Sequence, residues 1–179
     1  MFRNPGVADR CRVITLAAAL VTILLPNATP AQQATSAPDT ALARQVRSAK
    51  ISLGRALSTA SARGTPISAK YEIEDGKLQL SVYTARSGHF WEVIVDHHTG
   101  RIAKAEEIKE GDDLTAAKAQ QEAMAKAKRS LSEAVNRALR ANKGSRAVSV
   151  APAMEGGKRV ATVTLASGSS LKTVSEPLD

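Results

Sequence analysis

Cysteine and aromatic residues are almost absent from this sequence. Among its 179 residues there are one cysteine, one tryptophan, two tyrosines and two phenylalanines, so aromatic residues make up only 3% of the chain. A core with so few aromatic side chains must be built from alanine, valine, isoleucine and leucine, and small units of this kind bury only about 60% of their unfolded surface. The length excludes a large enzyme with deep clefts and permits one ordinary domain or two of about 60 to 70 residues.

The sequence also has no apolar run of the roughly 20 residues that an ordinary transmembrane helix needs. A shorter run, Val13 to Leu25, precedes a segment of small residues that ends at Ala31. Three arginines come before the run: Arg3, Arg10 and Arg12. This order is typical of a secretory signal peptide, so we expect residues 1–31 to be removed by cleavage between Ala31 and Gln32. Cleavage after Ala34 and an uncleaved membrane anchor are the alternatives.

Such a cleavage would exclude cysteine chemistry from the mature chain. The only cysteine, Cys11, precedes the apolar run, so the mature protein would have no disulfide, no thiol nucleophile and no thiolate metal ligand. Cleavage also removes three arginines and one aspartate, which lowers the formal net charge from +8 to +6. We therefore expect a basic exported protein of the bacterial periplasm, with the extracellular space as the alternative location.

The mature chain begins with a segment of linker composition and then changes its hydrophobic period. Residues 32–41 are mostly small and polar, which indicates a disordered leader. Over residues 42–60 apolar side chains recur at steps of three and four, which predicts one amphipathic helix. A period of two follows, with tight turns at Asp75-Gly76 and Ser87-Gly88. Residues 42–108 are therefore predicted to form a helix followed by a four-stranded antiparallel meander.

The second part of the chain repeats this order in a reduced form. Residues 109–126 combine an acidic connector with the start of an alanine-rich helix, which Asp112 or Asp113 is expected to cap. Residues 127–179 then repeat the helix and the glycine turns but end at a third strand, and Lys128-Arg-Ser-Leu matches Lys50-Ile-Ser-Leu. We predict an α+β protein of two small units, the second one degenerate. Chance similarity between two small units is the alternative.

One motif in the first unit carries a family resemblance. The pattern Trp-x-Val-x-Val-Asp-x-x-Thr-Gly-x-Ile spans residues 91–102 and resembles the final hairpin of the PepSY domain. With the preceding helix and hairpin, the resemblance covers residues 46–108 well and residues 127–175 weakly. It implies that six residues form the fold, three in the core and three in the turn: Trp91, Val93, Val95, Asp96, Thr99 and Gly100.

The resemblance also implies a role. PepSY domains occur in the propeptides of thermolysin-type metallopeptidases and as separate exported proteins, and they are regarded as units that bind and restrain peptidases. The resemblance therefore implies a noncatalytic protein that regulates a peptidase of the bacterial envelope. The second unit lacks the motif of residues 91–102, so this expectation applies first to the first unit.

Residues that could carry catalysis or bind metal are few. In an extended strand His89 and His97 would lie about 26 Å apart, too far to share a metal ion. His98 and His97 could approach Asp96 in a turn, but exposed turn histidines are the preferred interpretation. No serine lies in a Gly-x-Ser-x-Gly elbow, and no glycine-rich loop has the spacing of a phosphate site. We predict that the protein is not an enzyme and uses no metal or cofactor.

The expected partners follow from export and charge. Export, and the lack of aromatic residues between the basic ones, argue against nucleic acid as a partner. An envelope peptidase or another extended peptide, received at a free sheet edge, is the expected partner. The alternative is a basic structural protein that associates with an anionic envelope polymer. No transmembrane span is expected after cleavage.

Overall fold

The computed structural model describes residues 37–179, which form four helices and seven strands. The helices are α1 (Ala37–Ser48), α2 (Leu53–Ala60), α3 (Gly111–Ala125) and α4 (Leu131–Ala141). The strands are β1 (Thr65–Glu74), β2 (Lys77–Arg86), β3 (His89–Val95), β4 (Ile102–Ile108), β5 (Arg146–Glu155), β6 (Lys158–Ser167) and β7 (Ser170–Pro177). The α+β class predicted from the sequence is confirmed.

A serine N-cap divides each predicted helical segment into two helices. The sequence predicts one helix over residues 42–60, but the chain leaves the helical conformation after α1 and re-enters it at α2. The Ser52 side chain accepts a hydrogen bond from the Arg55 amide and so satisfies one of the free donors at the start of α2. Ser130 caps α4 in the same way and forms a capping box with Glu133. The prediction of a continuous helix is therefore wrong.

The predicted hairpin turns are present in the structure. Asp75 and Gly76, between β1 and β2, have φ angles of 49° and 75°. Ser87 and Gly88, between β2 and β3, have φ angles of 53° and 82°. Two successive residues in the left-handed region give the turn whose twist matches that of the flanking strands. These two turns therefore fix the β1-β2-β3 meander of the first half.

The seven strands form one antiparallel sheet in the order β4-β3-β2-β1-β5-β6-β7. The halves meet at its centre, where β1 pairs with β5 through two opposed pairs, Ala69 with Val150 and Lys70 with Ser149. Each half contributes its first strand to this junction. The outer strands of the sheet are therefore β4 from the first half and β7 from the second.

Helices cover the two faces of the sheet unequally. Ala69 and Tyr71 of β1 are each 2% exposed and pack against the core beneath α1, α2 and α4, on what we call the helical face. Ser68 points to the opposite face, where its hydroxyl donates to Gln120 Oε1 of α3 at 2.7 Å. Within α3 only Ala117 is buried. The main core therefore lies on the helical face, and α3 is a sparsely packed cover of the other.

The first helix begins earlier than the sequence indicates. We expect a disordered leader over residues 32–41, but α1 starts at Ala37, because Ala43 and Val46 bury completely in the main core and hold the helix to the sheet. Residues 1–36 lie outside the described part of the chain, and with them the predicted signal peptide and its cleavage site between Ala31 and Gln32. Among residues 37–179, no helix is both long and apolar enough to span a membrane.

The predicted aspartate cap of the second helical segment is wrong. The N-cap of α3 is Glu110, and its side chain makes no capping hydrogen bond. Asp112 and Asp113 lie inside the first turn of the helix instead. Carboxylates in that turn still interact favourably with the positive end of the helix dipole.

Several features of the two halves recur at an interval of 81 residues. β1 has a register shift at residues 66–68, and β5 has one at residues 147–149. The turn at residues 75–76 corresponds in the same way to the turn at residues 156–157, with both residues of each turn at positive φ. The halves differ after their third strands, because β3 pairs with β4 whereas no described strand lies beyond β7.

Candidate binding surface

The turn from Asp96 to Gly100 joins β3 to β4 and is held by its own first residue, Asp96. Asp96 Oδ1 accepts hydrogen bonds from the backbone amides of Thr99 and His98, each at 2.8 Å. These two bonds hold the pKa of the Asp96 carboxyl below its ordinary value. The Gly100 amide donates to the Asp96 carbonyl at 2.8 Å, and its φ of 75° is a conformation that glycine adopts without strain.

The strand before this turn places the apolar residues of the motif on the helical face. Val93 and Val95 are 0% and 1% exposed, and Trp91 is half-buried against the same core. The structure therefore brings the motif residues Trp91, Val93, Val95, Asp96, Thr99 and Gly100 together in one hairpin. Their contacts are those of core packing and turn formation.

The backbone carbonyl of His97 anchors the junction between α1 and α2. It accepts hydrogen bonds from the amides of Lys50 and Ile51, both at 3.0 Å. Leu178, 81 residues after His97, accepts from the amides at 128 and 129 in the junction between α3 and α4, at 2.7 and 3.1 Å. Sequence analysis missed this arrangement because a main-chain acceptor leaves no signature in the residue type.

Arg146 links the second half to the same junction. Its Nη2 donates to the carbonyl oxygens of Ala49 and Ile51, at 2.9 and 3.3 Å. The Tyr71 hydroxyl also donates to the Ile51 carbonyl. Burial raises the pKa of Tyr71, so its hydroxyl keeps the proton that it donates. Because Arg146 begins β5 and the carbonyls belong to the first half, this contact ties the two halves together.

The three histidines do not converge on one site. His89 Nδ1 lies 2.7 Å from Glu107 Oε1, at the end of the β3-β4 hairpin that is away from its turn. The rings of His97 and His98 lie 4.2 Å apart in the turn. Burial, and to a lesser extent the neighbouring His98, lowers the pKa of His97, which favours its neutral ring. Within the described residues, no group of three or more histidine, cysteine or acidic side chains could hold a metal ion.

The outer edge of β4 is open in the described part of the chain. Arg86 and His89 flank a two-residue turn, so they form a hydrogen-bonded pair, and bonded and non-bonded pairs then alternate along the strands. The even-numbered residues of β3 therefore bond to β4, and Ala105 and Glu107 of β4, which pair with β3 before its register shift at Ile94/Val95, direct their amides and carbonyls away from the sheet. A row of unpaired donors and acceptors of this kind is suited to pair with an added strand.

An open groove of about 550 Å³ adjoins the start of β4, beside the tip of the β1-β2 hairpin. Ile94 and Leu78 supply apolar lining, and the basic residues in it are Lys77 and Lys104. Five carboxylates also line it: Glu74, Asp75, Glu92, Asp96 and Glu106. An acidic groove stands out in a chain whose formal net charge is +8.

A second cavity, of about 240 Å³, lies between α3 and the central strands. Lys70 and Tyr83 of the sheet line it, as do Asp113 and Gln120 of α3. The Tyr83 hydroxyl donates to Glu92 Oε1 at 3.0 Å. Burial, with the nearby Glu92 carboxylate, raises the pKa of Tyr83 well above its ordinary value. Glu92 also lines the acidic groove, so one carboxylate borders that groove and bonds to the tyrosine that lines the second cavity.

Comparison with known families supports the resemblance in the first half. Residues 50–106 match the sequence model of the PepSY family, described as the peptidase propeptide and YPEB domain. The match covers α2 and strands β1 to β3 and ends within β4. The weaker resemblance over residues 127–175 stays a prediction. Neither the curated proteins nor the solved structures gave a match to the chain.

Proposed function

We propose that this chain is an exported, noncatalytic PepSY protein that binds an extended segment of an envelope peptidase and restrains it. The match of residues 50–106 to a peptidase-propeptide family is the observation that carries this proposal. A propeptide-like domain acts by surface contact and needs no nucleophile or general base. The proposed compartment is the periplasm, with the extracellular space as the alternative.

The proposed contact is strand addition at the open edge of β4. The outward donors of Ala105 and Glu107 would supply main-chain hydrogen bonds, which give affinity with little dependence on sequence. The edge also carries charge, with Lys104 and Glu106 paired at 2.8 Å. Charged side chains on an edge strand disfavour indiscriminate pairing. The edge would therefore accept a partner strand whose charges complement its own.

The acidic groove beside β4 suggests what that partner strand carries. Strands added to a sheet edge extend past its ends, and the groove lies beside the start of β4, next to Lys104 and Glu106. Its excess of carboxylates favours a lysine or arginine side chain over an acidic one. The proposed ligand is thus an extended peptide with a basic residue near the end that lies over the groove.

We also propose that the second half is a degenerate copy of the first. The shared 81-residue interval of bulges and turns supports this, as do the matching amide contacts of the carbonyls of His97 and Leu178. The second copy would have lost the fourth strand. Its proposed role is support, because it covers the inner edge of β1 and leaves β4 as the open edge of the matched domain.

Association with an anionic envelope polymer remains the competing proposal. Several arginines that would serve it have partners within the protein. Arg137 Nε lies 3.1 Å from Glu176 Oε2, and Arg146 donates to the carbonyls of Ala49 and Ile51. Arg129 Nη1 donates to the Pro177 carbonyl at 3.3 Å. Fewer arginines are thus available for polymer binding than the net charge suggests.

Affinity capture from an envelope extract tests these proposals. The full chain serves as bait, with washes at low and then high salt, and mass spectrometry identifies what is retained. Strand addition is expected to retain a peptidase through high salt, because main-chain hydrogen bonds are not screened as surface charges are. An anionic polymer released by salt, with no peptidase retained, would support the competing proposal.

Edge variants locate the contact. Ala105→Pro removes an outward amide of β4 without breaking the β3-β4 ladder, and it is expected to abolish capture of the peptidase. Thr173→Pro makes the same change on the outer edge of β7 and is the matched control. Capture that is equally weakened by both variants, or by neither, would exclude the β4 edge as the binding site.

A further inference from the structure

The outer edge of β7 corresponds to the edge of β3 in the first half, where β4 pairs. A two-residue turn joins β6 to β7, and the pair that flanks it is hydrogen-bonded, so alternate residues of β7 bond to β6. The remaining residues, Leu171, Thr173 and Ser175, direct their amides outward. Pro177 is next in this series and has no amide hydrogen. The β7 edge therefore presents three outward donors and ends at a residue that cannot donate.

We propose that this edge pairs antiparallel with β7 of a second copy of the chain, about a two-fold axis at Val174. The pairing joins two seven-stranded sheets into one. In this register Thr173 lies opposite the partner's Ser175, and these two residues exchange both of their main-chain hydrogen bonds. The Leu171 amide reaches the carbonyl of the partner's Pro177, so the missing proline donor removes only one bond at each end.

The charges of β7 favour a second copy as the occupant. Lys172 and Glu176 stand two residues before and two residues after Val174, on the helical face of the strand. An antiparallel pair about Val174 places Lys172 opposite the partner's Glu176, and the reverse contact forms by symmetry. Opposite charges that face each other across a strand pair stabilise it. A foreign strand would match both charges only if it carried the same pattern in reverse.

Both charged side chains are already oriented within each copy. Lys172 Nζ donates to Asn142 Oδ1 at 3.2 Å, and Glu176 Oε2 accepts from Arg137 Nε at 3.1 Å. The charged groups that face the proposed contact are thus Lys172, Glu176 and Arg137, and the one acidic side chain among them is bonded to Arg137. Pairing β4 with itself about Ala105 would also set Lys104 opposite the partner's Glu106, but the register shift at the start of β4 interrupts that edge, whereas the register of β7 on β6 has no shift.

Cysteine cross-linking tests the register directly. The chain has one cysteine, so each variant also carries Cys11→Ser. Val174→Cys places two thiols opposite each other in a pair without main-chain hydrogen bonds, where the Cα atoms of antiparallel strands lie about 4.5 Å apart and a disulfide can form. Thr173→Cys places them diagonally and is the matched control. Mild oxidation is expected to convert the first variant to a covalent dimer and to leave the second monomeric. Equal cross-linking of both variants, or none in Val174→Cys, overturns the proposal.

Sedimentation of the full chain over a range of concentrations gives an independent test. An edge contact of this size is expected to dissociate at micromolar or higher concentration. Thr173→Pro is expected to weaken dimerisation at least tenfold, whereas Ala105→Pro leaves it unchanged. A wild-type chain that stays monomeric at the highest concentration, or a dimer that Thr173→Pro does not weaken, overturns the proposal.

Charge-swapped chains test the identity of the partner. Lys172→Glu alone sets like charges opposite each other at both contacts of its homodimer, and so does Glu176→Lys alone. A mixture of the two variants restores both opposite pairs, so the heterodimer is expected to form while each homodimer is weakened. Circular dichroism confirms that each variant is folded. A mixture that associates no better than its components alone contradicts the proposed pairing.

Discussion

The guanidinium of Arg146 lies 2.9 Å from the carbonyl oxygen of Ala49, 97 positions earlier in the chain. The second half of the protein thereby holds the helix junction of the first. The same junction is held from the other side by the amides of Lys50 and Ile51, which donate to the His97 carbonyl. The two halves are therefore expected to unfold together.

Replacing this arginine should destabilise the whole chain. A hydrogen bond to a charged group contributes about 1.5 to 3 kcal/mol, so Arg146→Ala is expected to lower the free energy of unfolding by about 2 to 3 kcal/mol in one cooperative transition. Urea denaturation followed by circular dichroism measures it. Lys143→Ala, an exposed change in the preceding loop, serves as control and should stay within about 0.5 kcal/mol of wild type. Two separate transitions in the wild-type protein would contradict the coupling of the halves.

Two glycines of the first half should respond to alanine in opposite directions. A Cβ at Gly64 would lie 2.7 Å from the Ala85 carbonyl oxygen, so Gly64→Ala is expected to destabilise the protein by about 1 to 3 kcal/mol. A Cβ at Gly54, in α2, meets nothing within 4 Å, and Gly54→Ala should stabilise the helix by about 0.5 to 1 kcal/mol. Thermal and urea unfolding distinguish the two. Equal effects would show that the close approach of residues 64 and 85 is absent.

Buried tyrosines should make the protein sensitive to alkali. Burial raises the pKa of both Tyr71 and Tyr83, so the folded state favours the protonated phenols. Their contribution to stability is complete below the unfolded pKa of about 10 and is lost as pH rises above it. The free energy of unfolding should therefore fall as pH rises above about 10, and less steeply in Tyr71→Phe. An unchanged slope in that variant would contradict the burial of its hydroxyl.

Asp96 should contribute to the loss of stability in acid. Its pKa is depressed in the folded state, so its contribution is present above the ordinary value of 3.8 and is lost as pH falls through the folded pKa. Asp96→Asn keeps a carbonyl acceptor without titrating, so its unfolding midpoint should depend less on pH between about 5 and 3 than that of wild type. Asp96→Ala loses the acceptor and should be less stable at every pH. Parallel pH curves for wild type and Asp96→Asn would contradict the proposed turn contacts.

Local patterns were sufficient to predict much of the first half. The alternation of Trp91, Val93 and Val95 predicts which side chains face the core, and Asp-Gly and Ser-Gly pairs predict the tight turns, because these features depend on neighbouring residues alone. The break before Ser52 was missed, since the apolar stripe of residues 42–60 continues across it. The helix is interrupted by the Ser52 cap and by the Lys50 and Ile51 amides, which bond to the distant His97 carbonyl.

Long-range relationships were not predictable from the same patterns. Nothing in the alternation of β1 or β5 specifies that these strands pair with each other, and the sequence could not say whether the halves share a sheet. The anchoring role of the His97 carbonyl and the side of the sheet that α3 covers depend equally on tertiary structure. The candidate surface at β4 follows from strand order, so it became visible only with the sheet.

Hydrogen exchange of the protein bound to a captured peptidase, compared with the free protein, tests the central claim most directly. Strand addition at β4 predicts slower exchange at the outward amides of Ala105 and Glu107, with the amides of α4 unchanged. Protection confined to α4, or bound protein whose β4 amides exchange as fast as in the free state, would contradict the account.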